Sequence, residues 1–258
     1  MGRPQRRYEI TNYINEHGTV TFQELKNRFP DVSDMTLRTD LRELGDLGKI
    51  IRTWGGARSV QETAKADDSY FMRLARSVEK RQQIARKAVS FLREQLALKP
   101  NVSIYLDCGV TITEIAKCFP DEWCTVVTNS ISNAYALAAL KRPSVTVLGG
   151  SLNRYNCCCD SSRNIEDLKR MNFDFMFLAT AGYSIDVGFT CGKEVIDDTR
   201  AVIMEHSRKI IIPFDSSKIG LIYPITHTMP EDIDMVISDD GFPDEVVQHL
   251  RARGVEVL

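Results

Sequence analysis

The chain has 258 residues, of which 43% are hydrophobic and 26% are charged, a composition typical of a globular protein. Thirty-three Lys and Arg face 35 Asp and Glu, so the net charge of −2 points to no partner by itself. No uncharged apolar stretch reaches the ~18–20 residues of a membrane span, and no apolar run follows the charged start, which argues against a secretory signal. The seven cysteines include no C-x-x-C pair and fit reduced thiols in the cytoplasm.

The hydrophobic period changes near residue 58 and predicts two unequal domains. We expect a first domain over 1–58, a polar linker over 59–78 and a larger domain over 79–258. The first 58 residues hold 10 Lys and Arg against 8 Asp and Glu, whereas the rest hold 23 against 27. The first domain is therefore slightly basic and the rest slightly acidic, as expected if the first domain binds an anion.

Three short amphipathic helices are predicted in the first domain. The first covers 6–17 and ends at Gly18. Thr21 caps the second and has Glu24 three residues on as a capping-box partner. Ser33 caps the third, in which leucines recur at helical spacing.

The face of the third helix opposite Leu37, Leu41 and Leu44 is small, polar and basic. It carries Met35, Thr36, Arg38, Thr39 and Arg42. A strand-like run over 49–54, the turn Gly55-Gly56 and a second run over 57–59 then predict a hairpin that lays Arg52 and Arg58 along phosphates. Three helices and a hairpin form a winged helix-turn-helix, although any three-helix bundle shows such stripes.

The order of residues from Val32 onward resembles the DeoR family of bacterial transcriptional regulators. The matching pattern is Val32-Ser33-x-x-Thr36-Leu37-Arg38-x-Asp40-Leu41-x-x-Leu44-x-x-x-Gly48-x-Ile50-x-Arg52-x-x-Gly55-Gly56-Ala57. The resemblance implies that the third helix reads operator DNA through Ser33, Thr36 and Arg38, and that Asp40 supports the helix. Thr39 stands where the family usually has a second Arg and Trp54 where it has His, so the operator sequence does not carry over from relatives.

Strands and helices alternate through the second domain. Strands are predicted at 102–106, 125–128, 145–148, 173–179, 209–214, 235–238 and 255–258, with helices at 79–95, 111–119, 131–140, 164–171, 194–206 and 244–253. This pattern predicts an α/β fold with a mostly parallel sheet. Ligands of such sheets bind beyond the carboxyl ends of the strands.

Three loops at those ends are rich in Gly, Thr and Asn. They cover 107–113, 128–130 and 149–150, and the first opens a helix whose exposed amides can hold a phosphate. Taken alone each loop is a weak indication, because Gly and Thr close strand–helix turns in many proteins that bind nothing there.

These loops also resemble the DeoR-family sensor domain, whose fold is similar to ribose-5-phosphate isomerase and the CoA transferases and which typically senses a phosphorylated sugar. The resemblance implies a pocket formed by Asp107, Gly109, Thr111, Asn129, Ser130, Gly149, Gly150, Arg154 and Lys218. Asp107 is expected to accept sugar hydroxyls, the amides of 109–113 to hold the phosphate, and Lys218 to neutralise it. Ala181 replaces a carboxylate usual in the family, and Val110 and Ile112 replace threonines, which favours a less hydroxylated effector.

The sequence therefore predicts a transcriptional regulator, a repressor of a carbohydrate-related operon, that binds operator DNA and a phosphorylated metabolite as a homodimer or homotetramer. We expect no catalysis, no cofactor and no bound metal. One alternative is a sugar-phosphate isomerase with Asp107 or Glu194 as base. Another is a metal- or thiol-responsive regulator that uses Cys157 and Cys159 with Cys191 or a His.

Overall fold

The computed structural model describes residues 2–46, 49–53, 55–59, 70–160, 165–192 and 198–258. The chain divides into two compact units, Met1–Asp68 with Ile219–Ile222 and Ser69–Lys218 with Tyr223–Leu258. Trp54, Gly48 and Glu194, which the sequence analysis singled out, lie outside the described residues. None of the helices in the described ranges is long and apolar enough to cross a membrane.

The first unit is a winged helix-turn-helix, as predicted. Its elements are α1 (Arg3–His17), β1 (Thr19–Thr21), α2 (Phe22–Arg28), α3 (Asp34–Asp46), β2 (Ile50–Thr53) and β3 (Gly56–Ser59). The three strands form an antiparallel sheet in the order β1-β3-β2. The hairpin β2–β3 is the wing.

Local sequence explains where these helices begin and end. Gly18 follows α1 with a φ of 74° and donates its N–H to the carbonyl of Ile14. Thr21 and Glu24 form the expected capping box of α2. The Ser33 hydroxyl accepts the N–H of Thr36 at 3.2 Å and so caps α3.

The core of the first unit is the set of apolar residues that these helices turn inward. It contains Ile10, Ile14, Val20, Leu25, Phe29, Leu37, Leu41, Leu44, Ile50 and Ala57. Gly56 is required where β3 meets β1, because a Cβ there would lie 2.0 Å from the carbonyl oxygen of Val20.

The second unit is an α/β domain. Its helices are α4 (Tyr70–Leu74), α5 (Val78–Leu98), α6 (Val110–Lys117), α7 (Ile131–Leu137), α8 (Ile165–Leu168), α9 (Asp198–Glu205) and α10 (Asp244–Arg251). Its strands are β4 (Ser103–Leu106), β5 (Thr125–Thr128), β6 (Ser144–Val147), β7 (Ser151–Asn153), β8 (Cys158–Asp160), β9 (Phe175–Phe177), β10 (Gly182–Ser184), β11 (Gly188–Cys191), β12 (Ile210–Pro213), β13 (Ile225–Thr228), β14 (Met235–Ile237) and β15 (Glu256–Val257).

Seven strands of this unit form a parallel sheet in the order β15-β14-β12-β9-β4-β5-β6. The chain adds β5 and β6 on one side of β4 and the later strands on the other. The order of the strands therefore reverses between β4 and β9. A crevice at such a reversal is where open α/β sheets bind ligands.

The structure also contains elements that the sequence analysis did not predict. The stretch 59–78, interpreted as a linker, contains α4. Strands β7 and β8 form a hairpin after β6, and β10, β11 and β13 form a small antiparallel sheet. No helix separates β6, β7 and β8 along the chain, or β9, β10 and β11, so the strand–helix alternation that indicated the parallel strands is absent there.

Candidate functional site

The exposed face of α3 carries the side chains that the sequence assigned to DNA. Met35 is 76% exposed, Arg38 and Arg42 are exposed, and Thr39 is half-buried. Leu37, on the opposite side, is fully buried. The helix thus presents a basic and polar surface of the kind that enters a major groove.

Two contacts order the amino-terminal end of this face. The guanidinium of Arg38 lies 4.5 Å from the centroid of the Phe22 ring, a cation–π geometry. The hydroxyls of Ser33 and Thr36 hydrogen-bond to each other at 2.8 Å. Phe22 belongs to α2, so the first helix of the pair positions a side chain of the second.

Three acidic residues of α3, Asp34, Asp40 and Glu43, pair with cations of the first two helices. The buried carboxylate of Asp40 accepts hydrogen bonds from Arg6 at 2.5 Å and Arg7 at 2.8 Å. Burial raises the pKa of Asp40, but these two hydrogen bonds outweigh it and hold the pKa below its ordinary value. Glu43 pairs with Arg7 and Asp34 with Lys26.

These pairs leave the cations of α3 and the wing available for an anion. Arg38 and Arg42 on α3, and Arg52 and Arg58 on the wing strands, form no ion pair within the ranges that the structure describes. Together these four arginines of α3 and the wing form a cationic surface suited to a phosphate backbone.

In the second unit, Asp107 is the centre of a buried network at the end of β4. Its carboxylate accepts the N–H of Cys108 at 2.8 Å, the N–H of Ala179 at 3.1 Å and a charged hydrogen bond from Arg200. The side chain is 1% exposed. Protein donors thus occupy most of the accepting capacity of Asp107, and its assignment to sugar hydroxyls stays a prediction.

Arg200 is the functional candidate that the sequence analysis missed. It lies on α9, is 8% exposed and pairs with Asp107. Burial alone lowers the pKa of Arg200, but the charge of Asp107 outweighs it and raises the pKa above the ordinary value. The Nη1 of Arg200 has no hydrogen-bond partner in the described part of the chain. A cation on the same helix face as the buried Ile203, three residues on, was the available indication.

The amino terminus of α6 follows Asp107 directly. A Cβ on Gly109 would lie 3.0 Å from the Cβ of Ala179, so the loops after β4 and β9 approach closely at this glycine. The hydroxyl of Thr111 and the amide oxygen of Asn129 are buried and lack partners among the residues described. Buried polar atoms are rarely left without a partner, so these two atoms are expected to meet a ligand or water.

Lys218, which follows the neighbouring parallel strand β12, reaches the loop after β9. Its Nζ donates to the carbonyl of Thr180 at 2.8 Å, and burial lowers the pKa of the ammonium. The hydroxyl of Thr180 also lies 3.2 Å from Nε2 of His227. Burial, with the charge of Arg200, lowers the pKa of His227 to about 3, so this imidazole is neutral at neutral pH.

The structure thus brings Asp107, Gly109, Thr111, Asn129 and Lys218 to the strand ends on either side of the reversal. The other predicted residues of this group are placed differently. The hydroxyl of Ser130 accepts the N–H of Asn133 and caps α7, while Gly149, Gly150 and the hairpin residue Arg154 are exposed.

The cysteine triplet lies in and beside the hairpin β7–β8. Cys157 is in its turn with a φ of 53°, and the neighbouring thiol of Cys158, together with burial, raises the pKa of Cys108. Within the described ranges, no three His, Cys, Asp or Glu side chains are grouped so that they could hold a metal ion.

Two protein-family models match the chain, one to each unit. Residues 6–63 match the DeoR-like helix-turn-helix domain, and residues 76–240 match the DeoR C-terminal sensor domain. The chain belongs to the DeoR family. This DeoR-family protein is a DNA-binding transcriptional regulator, and the winged helix-turn-helix followed by an α/β sensor domain is confirmed.

Curated relatives cover the whole of this DeoR-family chain. It is 28% identical to the transcriptional repressor GlcR of Bacillus subtilis over 259 residues, which cover 100% of this chain and 96% of the relative. It is 27% identical to the transcriptional regulator GlpR of Haloferax volcanii, with 98% and 96% covered.

Among solved structures, the probable sor operon regulator from Shigella flexneri is 11% identical with a TM-score of 0.40, covering 66% of this chain and 87% of that one. Ribose 5-phosphate isomerase from Plasmodium falciparum is 18% identical with a TM-score of 0.35, covering 54% and 52%.

Proposed function

We propose that this DeoR-family regulator represses a carbohydrate-related operon and that a phosphorylated sugar-like metabolite controls its affinity for operator DNA. The observation that carries the proposal is a set of three buried polar atoms near the carboxyl ends of β4 and β5 that have no partner among the described residues, namely Arg200 Nη1, Thr111 Oγ1 and Asn129 Oδ1. The guanidinium of Arg200, the hydroxyl of Thr111 and the amide groups that open α6 can donate hydrogen bonds to a phosphate, whereas the amide oxygen of Asn129 accepts and suits a sugar hydroxyl. The name of GlcR, a repressor, supports the sign of the regulation.

Thermal unfolding with and without metabolites tests the effector class. A ligand that binds only the folded protein stabilises it by about 2.7 kcal/mol at a concentration of 100 times its Kd. We expect the melting temperature to rise with a pentose or hexose phosphate and to stay unchanged with the unphosphorylated sugar. An equal rise with both members of such a pair would contradict the phosphate site.

We further propose that the active regulator is a homodimer or homotetramer in the cytoplasm, where its operator lies. Two copies of a winged helix-turn-helix reach half-sites about 34–36 Å apart on one face of DNA. Light scattering of the full chain bound to DNA from its own promoter measures this, and one protomer on each operator would contradict it.

We propose no catalysis, because the carboxylate of Asp107 is occupied by Arg200 and two backbone amides. An isomerase needs a carboxylate free to take a proton from its substrate. Incubation of the protein with pentose and hexose phosphates should give no turnover, and isomerised product would restore the enzyme alternative.

A further inference from the structure

The helix α4 links two parts of the candidate effector site. It has five residues and is the first element described after 60–69, the stretch that follows the wing in the chain. Its first residue, Tyr70, is 2% exposed, and its fourth, Arg73, contacts the hairpin β7–β8. Neither residue belongs to the predicted ligand-binding set.

Tyr70 begins a buried chain of hydrogen bonds that runs to the end of β4. Its hydroxyl donates to the hydroxyl of Thr113 at 3.0 Å, which donates to Oδ1 of Asn133 at 2.7 Å. The Nδ2 of Asn133 donates to the carbonyl of Asp107 at 3.0 Å. Thr113 lies in the first turn of α6, so Tyr70 is joined to both ends of the loop that opens this helix.

Arg73 and the backbone of Tyr70 hold the hairpin. The N–H of Tyr70 donates to the carbonyl of Tyr155 at 3.1 Å, and Arg73 donates to the same carbonyl at 2.9 Å and to Oδ1 of Asn156 at 2.8 Å. The guanidinium of Arg73 also lies 4.6 Å from the centroid of the Tyr155 ring. Strand β8 of the same hairpin contacts the loop after β5, because the N–H of Cys159 donates to the backbone carbonyl of Asn129 at 2.9 Å.

The carboxyl end of α4 is fixed as well. Arg81 of α5 is 3% exposed and donates to the carbonyls of Arg73 at 3.2 Å, Leu74 at 2.7 Å and Arg76. A five-residue helix has too few internal hydrogen bonds to be stable by itself, so these contacts determine its position. A shift of either loop of the site is therefore transmitted to α4.

We propose that α4 is the coupling element of this regulator, in which Tyr70 and Arg73 are positioning residues that join the effector loops to the chain leading to the DNA-binding unit. The proposal rests on the proposed function, because it assigns the route by which effector binding is communicated to the linker. Allosteric coupling needs such an element with contacts that differ between the two states.

Hydrogen exchange of the full chain, followed by mass spectrometry, tests Tyr70→Phe against Tyr183→Phe. Both changes remove one hydroxyl from a fully buried tyrosine, but the Tyr183 hydroxyl has no partner in the described ranges. Without ligand, Tyr70→Phe should speed exchange across α6 about fivefold, the effect of one lost hydrogen bond on local opening. Tyr183→Phe should leave α6 unchanged, and β12 should be unchanged in both.

Inorganic phosphate, compared with chloride at equal ionic strength, then tests the coupling itself. In the unaltered protein we expect phosphate to slow exchange in both α6 and α4. In Tyr70→Phe it should still slow exchange in α6, but its effect on α4 should fall to the part that the hairpin contacts of Arg73 transmit, a result that a merely structural role does not produce. Thr113→Val, which cuts the same hydrogen-bonded chain, should give the same pattern.

Two results would overturn the coupling. One is unchanged exchange of α6 in ligand-free Tyr70→Phe, and the other is protection of α4 by phosphate that this substitution does not reduce. If phosphate protects neither helix in the unaltered protein, the proposed phosphate site fails, while the ligand-free comparison of the two tyrosine variants still decides whether Tyr70 positions α6.

Discussion

The role of Arg38 in operator binding can be tested by a single substitution. It lies on the exposed face of α3, and Phe22 holds its guanidinium. Removing a side chain that contacts a base loses about 1–3 kcal/mol of discrimination, so Arg38→Ala should weaken specific operator binding roughly 10- to 100-fold. Fluorescence anisotropy with DNA from the protein's own promoter measures this, and circular dichroism should show an unchanged fold.

Arg28→Ala is the matched control for this prediction. Arg28 is also exposed and also stacks on an aromatic ring, that of Phe29, but it belongs to α2. Its loss should change operator affinity by less than about threefold, within the range of a surface ion contact. Equal effects of the two substitutions would show that α3 does not read the operator through Arg38.

Asp40 predicts a pH dependence of folding. The pKa of Asp40 is below its ordinary value of 3.8 because hydrogen bonds from Arg6 and Arg7 outweigh its burial. Its stabilisation is therefore complete above the pKa of the unfolded chain and is lost as pH falls through the lower, folded value. Asp40→Asn should destabilise the first unit by about 3 kcal/mol at pH 7, because two arginines lose a buried partner.

Urea unfolding at several pH values measures this loss. The difference between Asp40→Asn and the unaltered protein should shrink as the solution is acidified below the ordinary Asp range. Asp34→Asn on the same helix is the control, since its exposed pair with Lys26 contributes little. A difference that stays constant down to the lowest pH would contradict the role of the Asp40 charge.

The sequence could identify single residues where a local period determines their place. Leu37, Leu41 and Leu44 are buried as predicted because helical spacing puts them on one face. Arg200 could not be identified that way, because its partner Asp107 lies 93 residues earlier. The pairing of Asp107 could not be predicted for the same reason: a carboxylate at a strand end is fully open to a ligand only if no distant cation pairs with it.

At the scale of elements, the loop between β4 and α6 depends on a glycine. Gly109→Ala brings a Cβ to 3.0 Å from that of Ala179 and pushes apart the loops after β4 and β9. We expect this variant to lose the thermal shift caused by sugar phosphates. Its free energy of unfolding should fall by about 1–3 kcal/mol, as it does at overpacked sites.

The partner residue supplies the control for the glycine. In the double variant Gly109→Ala with Ala179→Gly, the nearest obstructing atom is removed, so the thermal shift should be recovered in part. Failure of Ala179→Gly to recover any ligand response would mean that the close approach of these two loops is not what Gly109 provides.

Some of the strands that could not be predicted from the sequence form a sheet by antiparallel pairing between distant parts of the chain. The parallel strands were predicted because each is a buried β-branched or aromatic run that alternates with a helix. The sheet β10-β11-β13 joins residues 188–191 to 225–228, and no local pattern announces that pairing. The helix α4 was interpreted as linker because a five-residue helix has no measurable period.

At the scale of the whole molecule, regulation requires that effector binding and operator binding be coupled. An effector changes operator affinity only by as much as its affinity differs between the two states of the protein. Lys218 lies in the second unit, where its ammonium is positioned on Thr180, and the cationic surface for DNA lies in the first. The two activities are therefore separable by mutation.

Lys218→Ala should weaken the effector response without changing operator affinity in the absence of effector. The sugar phosphate that gives the largest thermal shift is titrated into the protein–operator complex, and the concentration needed for release should rise about tenfold or more, the effect of one lost charge-assisted hydrogen bond. Lys87→Ala is the control, because Lys87 is a lysine of the same unit that pairs with Asp240 instead. Release at the same concentration in Lys218→Ala and Lys87→Ala would place the effector away from Lys218.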